Sequence, residues 1–162
     1  MKQVTLCYLV KTQAGRPEEV CLAEKKSGYV AGMLNTAGGK AKPGENPRDT
    51  ALRELLEEQN VTADPTHLQN VAVLEFCFPE SPEKDLECHV FFADQWQGDP
   101  CASDELGPPS WYPVERLPYD RMPPADQHWF PRVLTGERIR MRFRLDNHYH
   151  VAPSDVQFKG LL

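Results

Sequence analysis

At 162 residues, with 40% hydrophobic and 26% charged residues, the chain has the length and composition of one folded domain that closes its own core, not of a disordered segment. Its net charge of −6 argues against a binder of nucleic-acid polymers, which needs a cationic surface to displace counterions. A small phosphorylated ligand is still allowed, because a bound cation inverts the local charge logic.

The longest apolar runs, such as residues 6–10 (LCYLV), fall far short of the ~18 residues of a membrane span, so no membrane partner is expected. The N-terminal stretch contains Thr5 and stops at Lys11, which reads as a strand and not as a secretion signal. Five cysteines, odd in number and without a C-x-x-C pair, predict neither a disulfide framework nor a zinc site, and place the chain in a reducing cytoplasm.

Residues 3–10 and 20–24 are short β-branched and apolar runs split by a turn containing Gly15 and Pro17, and predict a strand pair. Five glycines between 28 and 44 predict a loop there. Asn46 followed by Pro47 is a helix start, a capping side chain and then a residue whose fixed φ suits the first helical position. The helix should run over 47–59, with Asn60 as its left-handed C-terminal residue. Strands follow over 70–78 and 86–95. Seven of the 15 prolines fall within 108–131, which predicts irregular chain with at most short helices near 113–117 and 125–135. Residues 139–145 alternate apolar side chains with arginine, the period of a half-exposed strand. The domain should span residues 1–150, leaving 151–162 as a loose tail. The class is α+β with a mixed sheet.

The chemistry concentrates between Gly39 and Val61. On a wheel of ~100° per residue, with Glu54 at zero, Glu57 falls at about 300° and Glu58 at about 40°, while Leu52, Leu55 and Leu56 fall between about 100° and 200°. One face should therefore be buried and the other should carry three carboxylates. Arg53 stands four residues before Glu57 and can pair with it across one turn. Such a stripe is either a solvated acidic face or, because the charges repel, a site for a hard divalent cation such as Mg²⁺.

Read in order, Gly39, five residues, Glu45, seven residues, Arg53-Glu54-Leu55, Leu56, Glu57-Glu58, Gln59, Asn60 and Val61 resemble the Nudix box at every position but one. The family has glycine where this chain has Asn60, and asparagine is the next residue most tolerant of a left-handed backbone. The resemblance implies an α/β/α sandwich around a mixed sheet. It also implies hydrolysis of a nucleoside diphosphate linked to another group, with Mg²⁺ or Mn²⁺ as cofactor. Carried over by position, it makes Glu54, Glu57, Glu58 and the Gly38 carbonyl metal ligands, with Arg53 in the catalytic set and Glu54 the first choice for general base.

The likeness continues outside the box. Lys25-Lys26-Ser27-Gly28-Tyr29, the stretch from Gly32 to Lys40, Glu75-Phe76-Cys77-Phe78, Ser103-Asp104-Glu105 and Trp129-Phe130-Pro131 resemble the MutT-type members that hydrolyse oxidised purine nucleoside triphosphates such as 8-oxo-dGTP to the monophosphate and pyrophosphate. This implies that Glu105 also approaches the metal and that Lys25, Asn35, Gly38, Gly39, Lys40, Phe76 and Asp126 contact the nucleotide. Phe76 and Phe78 also read as plain core aromatics. Those members have two adjacent aspartates and two tryptophans around the base; here stand Ala125-Asp126, Leu34 and Pro123. A lost hydrogen-bonding partner redirects discrimination between close analogues. A Nudix hydrolase of another diphosphate, such as a pterin triphosphate or nucleotide sugar, and a non-enzymatic nucleotide-binding module therefore remain competing readings. His148 and His150, on the extended tail, are expected to hold no metal, and His67, His89 and His128 read as structural. The partner is a small nucleotide, and the protein is a monomer or a dimer.

Overall fold

The computed structural model describes residues 1–162. In chain order the elements are β1 (Lys2–Gln13), β2 (Arg16–Glu24), β3 (Leu34–Asn35), β4 (Ala37–Lys40), α1 (Pro47–Gln59), β5 (Thr62–Ala63), β6 (Leu68–Cys77), β7 (Leu86–Ala93), β8 (Trp96–Gln97), β9 (Ser110–Pro113), α2 (Asp126–Leu134), β10 (Ile139–Arg144) and β11 (Val156–Leu161).

The main sheet runs β11-β10-β6-β7-β1-β2-β3, with β4 on β1 and β9 on β2. It is mixed, because β1 lies parallel to β7 and β10 parallel to β6 while the other pairings are antiparallel. β1 shows why the centre is buried on both faces. Tyr8 and Val10 pack with Trp129, Phe130 and Val133 of α2. Cys7 and Leu9 pack with Ala51 and Leu55 of α1 on the other side. A period-2 strand sandwiched between two helices needs apolar residues at every position, and residues 7–10 supply them. The α/β/α sandwich and mixed sheet expected from the sequence are what the chain forms.

Helix α1 starts and stops as its caps dictate. The Asn46 side chain accepts from Asp49 N, Pro47 takes the first position, and Asn60 closes the helix at φ 57°, ψ 39° while its N–H donates to the Leu56 carbonyl. Three expectations change. The 28–44 segment is not wholly loop, since Leu34–Asn35 pairs with β2 and Ala37–Lys40 with β1. In the proline-rich segment the short helices fall where expected, as a 3-10 turn at 114–116 and as α2, but 110–113 is a strand on β2. The tail is not loose, because Val156–Leu161 pairs antiparallel with β10 as an edge strand. That pairing depends on a distant strand and gives a short, half-polar segment no period of its own.

The left-handed end of α1 makes a testable case. Asn60→Ala should destabilise the fold by about 1 kcal/mol, the cost of a Cβ-bearing residue without asparagine's local hydrogen bonding at positive φ, whereas Asn60→Gly should be neutral or stabilising. Urea unfolding of the two variants reads the difference.

Candidate active site

The burial of α1 differs from the simple wheel. Leu56 is 50% exposed, whereas Glu58 is buried at 5%, beside Ala51, Leu55 and Gln59. The buried face is therefore centred between Leu55 and Glu58, and the acidic stripe straddles its edge instead of lying opposite. The cause is tertiary. β4 and β1 pass over this side of the helix, and Gly38 and Gly39 let them approach. A Cβ at Gly38 would collide with the Thr5 carbonyl oxygen, and one at Gly39 with the Glu54 carboxylate.

Arg53 organises the stripe. Its Nε donates to Glu45 Oε2 at 2.7 Å and Nη2 to Glu45 Oε1 at 2.9 Å, a two-pronged clamp. Nη1 donates to Glu54 Oε1 at 2.9 Å and to Glu57 Oε2 at 3.1 Å, and Nη2 also reaches the Lys40 carbonyl at 3.1 Å. One planar cation thus ties the glycine-rich strand, the loop and the helix together, a fork geometry that lysine does not have. Arg53 and the Lys42 N–H hold the Glu45 carboxyl down at about 2.

Glu58 is held differently. Its Oε1 accepts from the Gly38 N–H at 3.2 Å, and Lys25 Nζ stands 3.6 Å from Oε2, too far for a hydrogen bond. Oε2 is buried with no hydrogen-bonding partner. Burial pushes this carboxyl up to about 7, against the pull of Lys25 and the Gly38 N–H and with the help of Glu54.

Two cavities meet at this point. One, of about 540 Å³, is an acidic cleft lined by Gly38, Gly39, Glu54, Glu57, Glu58 and the turn Ser103-Asp104-Glu105, with no hydrophobic residue. The other, of about 460 Å³, is mostly apolar and reaches from Gly38 and Gly39 past Lys25, Asn35 and Phe76 to Asp126. Gly38 and Gly39 line both. The cleft suits a hard divalent cation, since its donors are carboxylate and carbonyl oxygens and the unpartnered Glu58 Oε2 lacks a positive neighbour in hydrogen-bonding range. No three acidic side chains form a ready-made cage, and Arg53 occupies one oxygen each of Glu54 and Glu57. Mg²⁺ needs no such cage, as it binds through one or two carboxylates and completes its shell with water and phosphate.

The site residues expected from the sequence fall mainly into these two spaces. Asn35 Oδ1 accepts from the buried Tyr8 hydroxyl at 3.0 Å and from Thr36 N at 2.9 Å, leaving its amide N–H groups to donate. Asp126 Oδ1 accepts from Trp129 Nε1 at 3.0 Å, and its Oδ2 is buried without a partner. Phe76 stacks on Phe143 with ring centroids 5.5 Å apart, so it is both a wall and a core aromatic. Lys40 differs from expectation, for it lines neither cavity and contributes its carbonyl to Arg53. Pro123 and Ala125 line the apolar cavity, whereas Leu34 is buried in the core. Glu105 takes a hydrogen bond from the Ser27 hydroxyl at 3.3 Å.

Sequence reasoning missed Asp104, Tyr29, Phe78 and residues 148–150 as lining residues. His148 and His150 flank Tyr149 after a turn at 147–148, their rings are 6.2 Å apart, and both line the apolar cavity. His67, His89 and His128 line neither cavity. Only the 103–105 triplet carried a signal that reached Asp104.

Residues 1–133 match the NUDIX domain. The chain is 35% identical over 147 residues to the oxidized purine nucleoside triphosphate hydrolase of Danio rerio, spanning 91% of this chain and 88% of that protein. It is 36% identical over 132 residues to the protein of the same name from Mus musculus, spanning 82% of each. The crystal structure of a MutT protein from Bacillus halodurans shares the fold, with a TM-score of 0.80 at 21% identity and 98% coverage of each chain. The chain belongs to the Nudix family, whose hydrolases generally use divalent metal ions. No helix is long and apolar enough to cross a membrane.

Asp126 yields a pH prediction. Burial raises its carboxyl from an ordinary 3.8 to about 7, with the Trp129 N–H pulling the other way. The folded state therefore prefers the protonated form, and this group's contribution to stability is complete below about pH 4 and lost as pH rises towards 7. Asp126→Asn keeps an acceptor for Trp129 and cannot ionise, so it should raise Tm at pH 8 and leave it little changed at pH 4. Thermal unfolding at the two pH values measures this.

Proposed function

We propose that the protein hydrolyses purine nucleoside triphosphates, oxidised ones such as 8-oxo-dGTP included, to the monophosphate and pyrophosphate with Mg²⁺, in a reducing cytoplasm. The observation that carries this reading is the junction at Gly38–Gly39, where a mostly apolar cavity of about 460 Å³, with room for a purine base, meets a cleft lined by carboxylates. It agrees with the names of the relatives from fish and mouse.

In this reading Asn35 and Asp126 present hydrogen-bonding groups to the base edge, and the chain grips the base where little water remains. Lys25 lines the apolar cavity beside Glu58 and faces phosphate charge. Glu54, Glu57, Glu58, Glu105 and the Gly38 carbonyl would hold the cation, which supplies positive charge against the phosphate oxygens and makes water a better nucleophile. Arg53 keeps Glu54 and Glu57 turned into the cleft. Glu54 Oε2, the oxygen that Arg53 leaves free, takes the proton as water attacks phosphorus and the anhydride bond breaks, releasing pyrophosphate.

Ala125 favours a second reading. It lines the apolar cavity and offers no hydrogen bond from its side chain, which fits a ligand with a different edge, such as a pterin triphosphate. Pyrophosphate release from 8-oxo-dGTP, 2-hydroxy-dATP, dGTP and a pterin triphosphate at equal concentration separates the two. Turnover of the purine triphosphates is expected, and none at all would overturn the proposal. Glu58→Gln should lower kcat more than ~100-fold while Tm shifts by only a few degrees, since it keeps the shape and an acceptor for Gly38 N while removing a charge from the cleft. Marked unfolding of that variant would assign Glu58 to structure instead.

A further inference from the structure

The apolar cavity is closed on one side by a turn that no motif announces. Asp146 pins it: Oδ1 accepts from His148 N at 2.8 Å and from His150 N at 2.9 Å. The backbone adds Tyr149 N to the Asp146 carbonyl at 3.0 Å and Asp146 N to the His150 carbonyl at 3.2 Å. Four hydrogen bonds thus fold five residues back on themselves and force Tyr149 to φ 63°, one of three non-glycine residues with positive φ in the chain. A bulky aromatic at such a position is disfavoured relative to asparagine or glycine.

The strained ring is not idle. Its centroid lies 5.0 Å from Tyr29 with a tilt of 30°, and 5.7 Å from Phe78 nearly edge-on. Tyr29, 49% exposed, comes from the 28–33 turn before β3, so the rings of two irregular segments far apart in sequence meet here. All three rings line the apolar cavity, as does Phe76, whereas Pro123, Pro124 and Ala125 line it without any π surface. A planar base therefore finds aromatic faces on the side that Tyr149 helps to build.

From this we infer that Tyr149, held by the Asp146 turn, is a specificity-determining residue whose ring forms part of the aromatic wall against a purine base. The inference rests on the purine-triphosphate reading and deepens it by naming the element that sets base size. The wall belongs to the base cavity and not to the acidic cleft, so it governs binding and not the chemical step. A purine, with the larger face, loses more contact than a pyrimidine when the ring is removed.

Steady-state kinetics with dGTP and dCTP test this on wild type, Tyr149→Asn and Tyr149→Phe. Asparagine tolerates the left-handed backbone, so the first variant deletes the ring while keeping the turn. Tyr149→Asn should raise KM for dGTP about 10-fold, with kcat within about 2-fold of wild type and a smaller rise for dCTP. Tyr149→Phe should restore the wild-type KM, because the wall needs the ring and not the hydroxyl. Asp146→Ala, which frees the turn, should move KM in the same direction as the asparagine variant. An unchanged dGTP KM in Tyr149→Asn, or a fall in kcat alone, overturns the inference while the wild type's turnover keeps the functional reading. A wild type inactive on every purine triphosphate removes the reading, and the inference with it.

Discussion

Carboxylates crowded onto one helix face repel one another, and the arrangement of this protein depends on how Arg53 answers that repulsion. A single guanidinium reaches Glu45, Glu54, Glu57 and the Lys40 carbonyl, so the glycine-rich strand, the loop after it and the helix are joined at one point. The charge is only partly cancelled. Glu58 lies outside the clamp, beside Lys25, with one oxygen bonded to the Gly38 N–H and the other buried without a hydrogen bond. What remains is a cleft still short of positive charge, which is the condition for capturing a hard cation together with phosphate.

The fold places this cleft where two different solvents meet. β1 carries apolar residues on both faces, α1 covers one and α2 the other, and the glycine pair of β4 lies against β1 at the edge of the α1 layer. Because Gly38 and Gly39 line both cavities, a bound molecule can bury an apolar ring on one side of them and extend anionic groups to the other. Side chains at those two positions would strike Thr5 and Glu54, so the junction depends on the absence of Cβ atoms.

How much of this was legible in the sequence depends on whether its cause is local. Helix α1 was legible to the residue, because Asn46, Pro47 and Asn60 act on their own backbone. The spacing of Gly39, Glu45, Arg53 and the three glutamates was legible as a family signature, and those residues do converge. The depth of Glu58 was not, because the wheel ranks side chains by hydropathy, whereas contact with Gly38 and Lys25 decides which side of the helix is covered. The edge strand at 156–161 was hidden because its partner supplies the order, and the turn at 146–150 because Asp146, not an apolar pattern, bends the chain. The apolar wall built by Tyr29, Phe78 and Tyr149 was out of reach for the same reason.

The most direct measurement of the central claim is Mn²⁺ binding to the free protein, followed by electron paramagnetic resonance, in wild type and in Arg53→Lys. Lysine keeps the charge but cannot span Glu45, Glu54 and Glu57 at once, so the carboxylates should lose their common orientation. The account predicts saturable binding to wild type and at least ~10-fold weaker binding to the variant, the effect expected when the groups that orient metal ligands are removed. Equal affinity in the two proteins, or no binding to either, would contradict it.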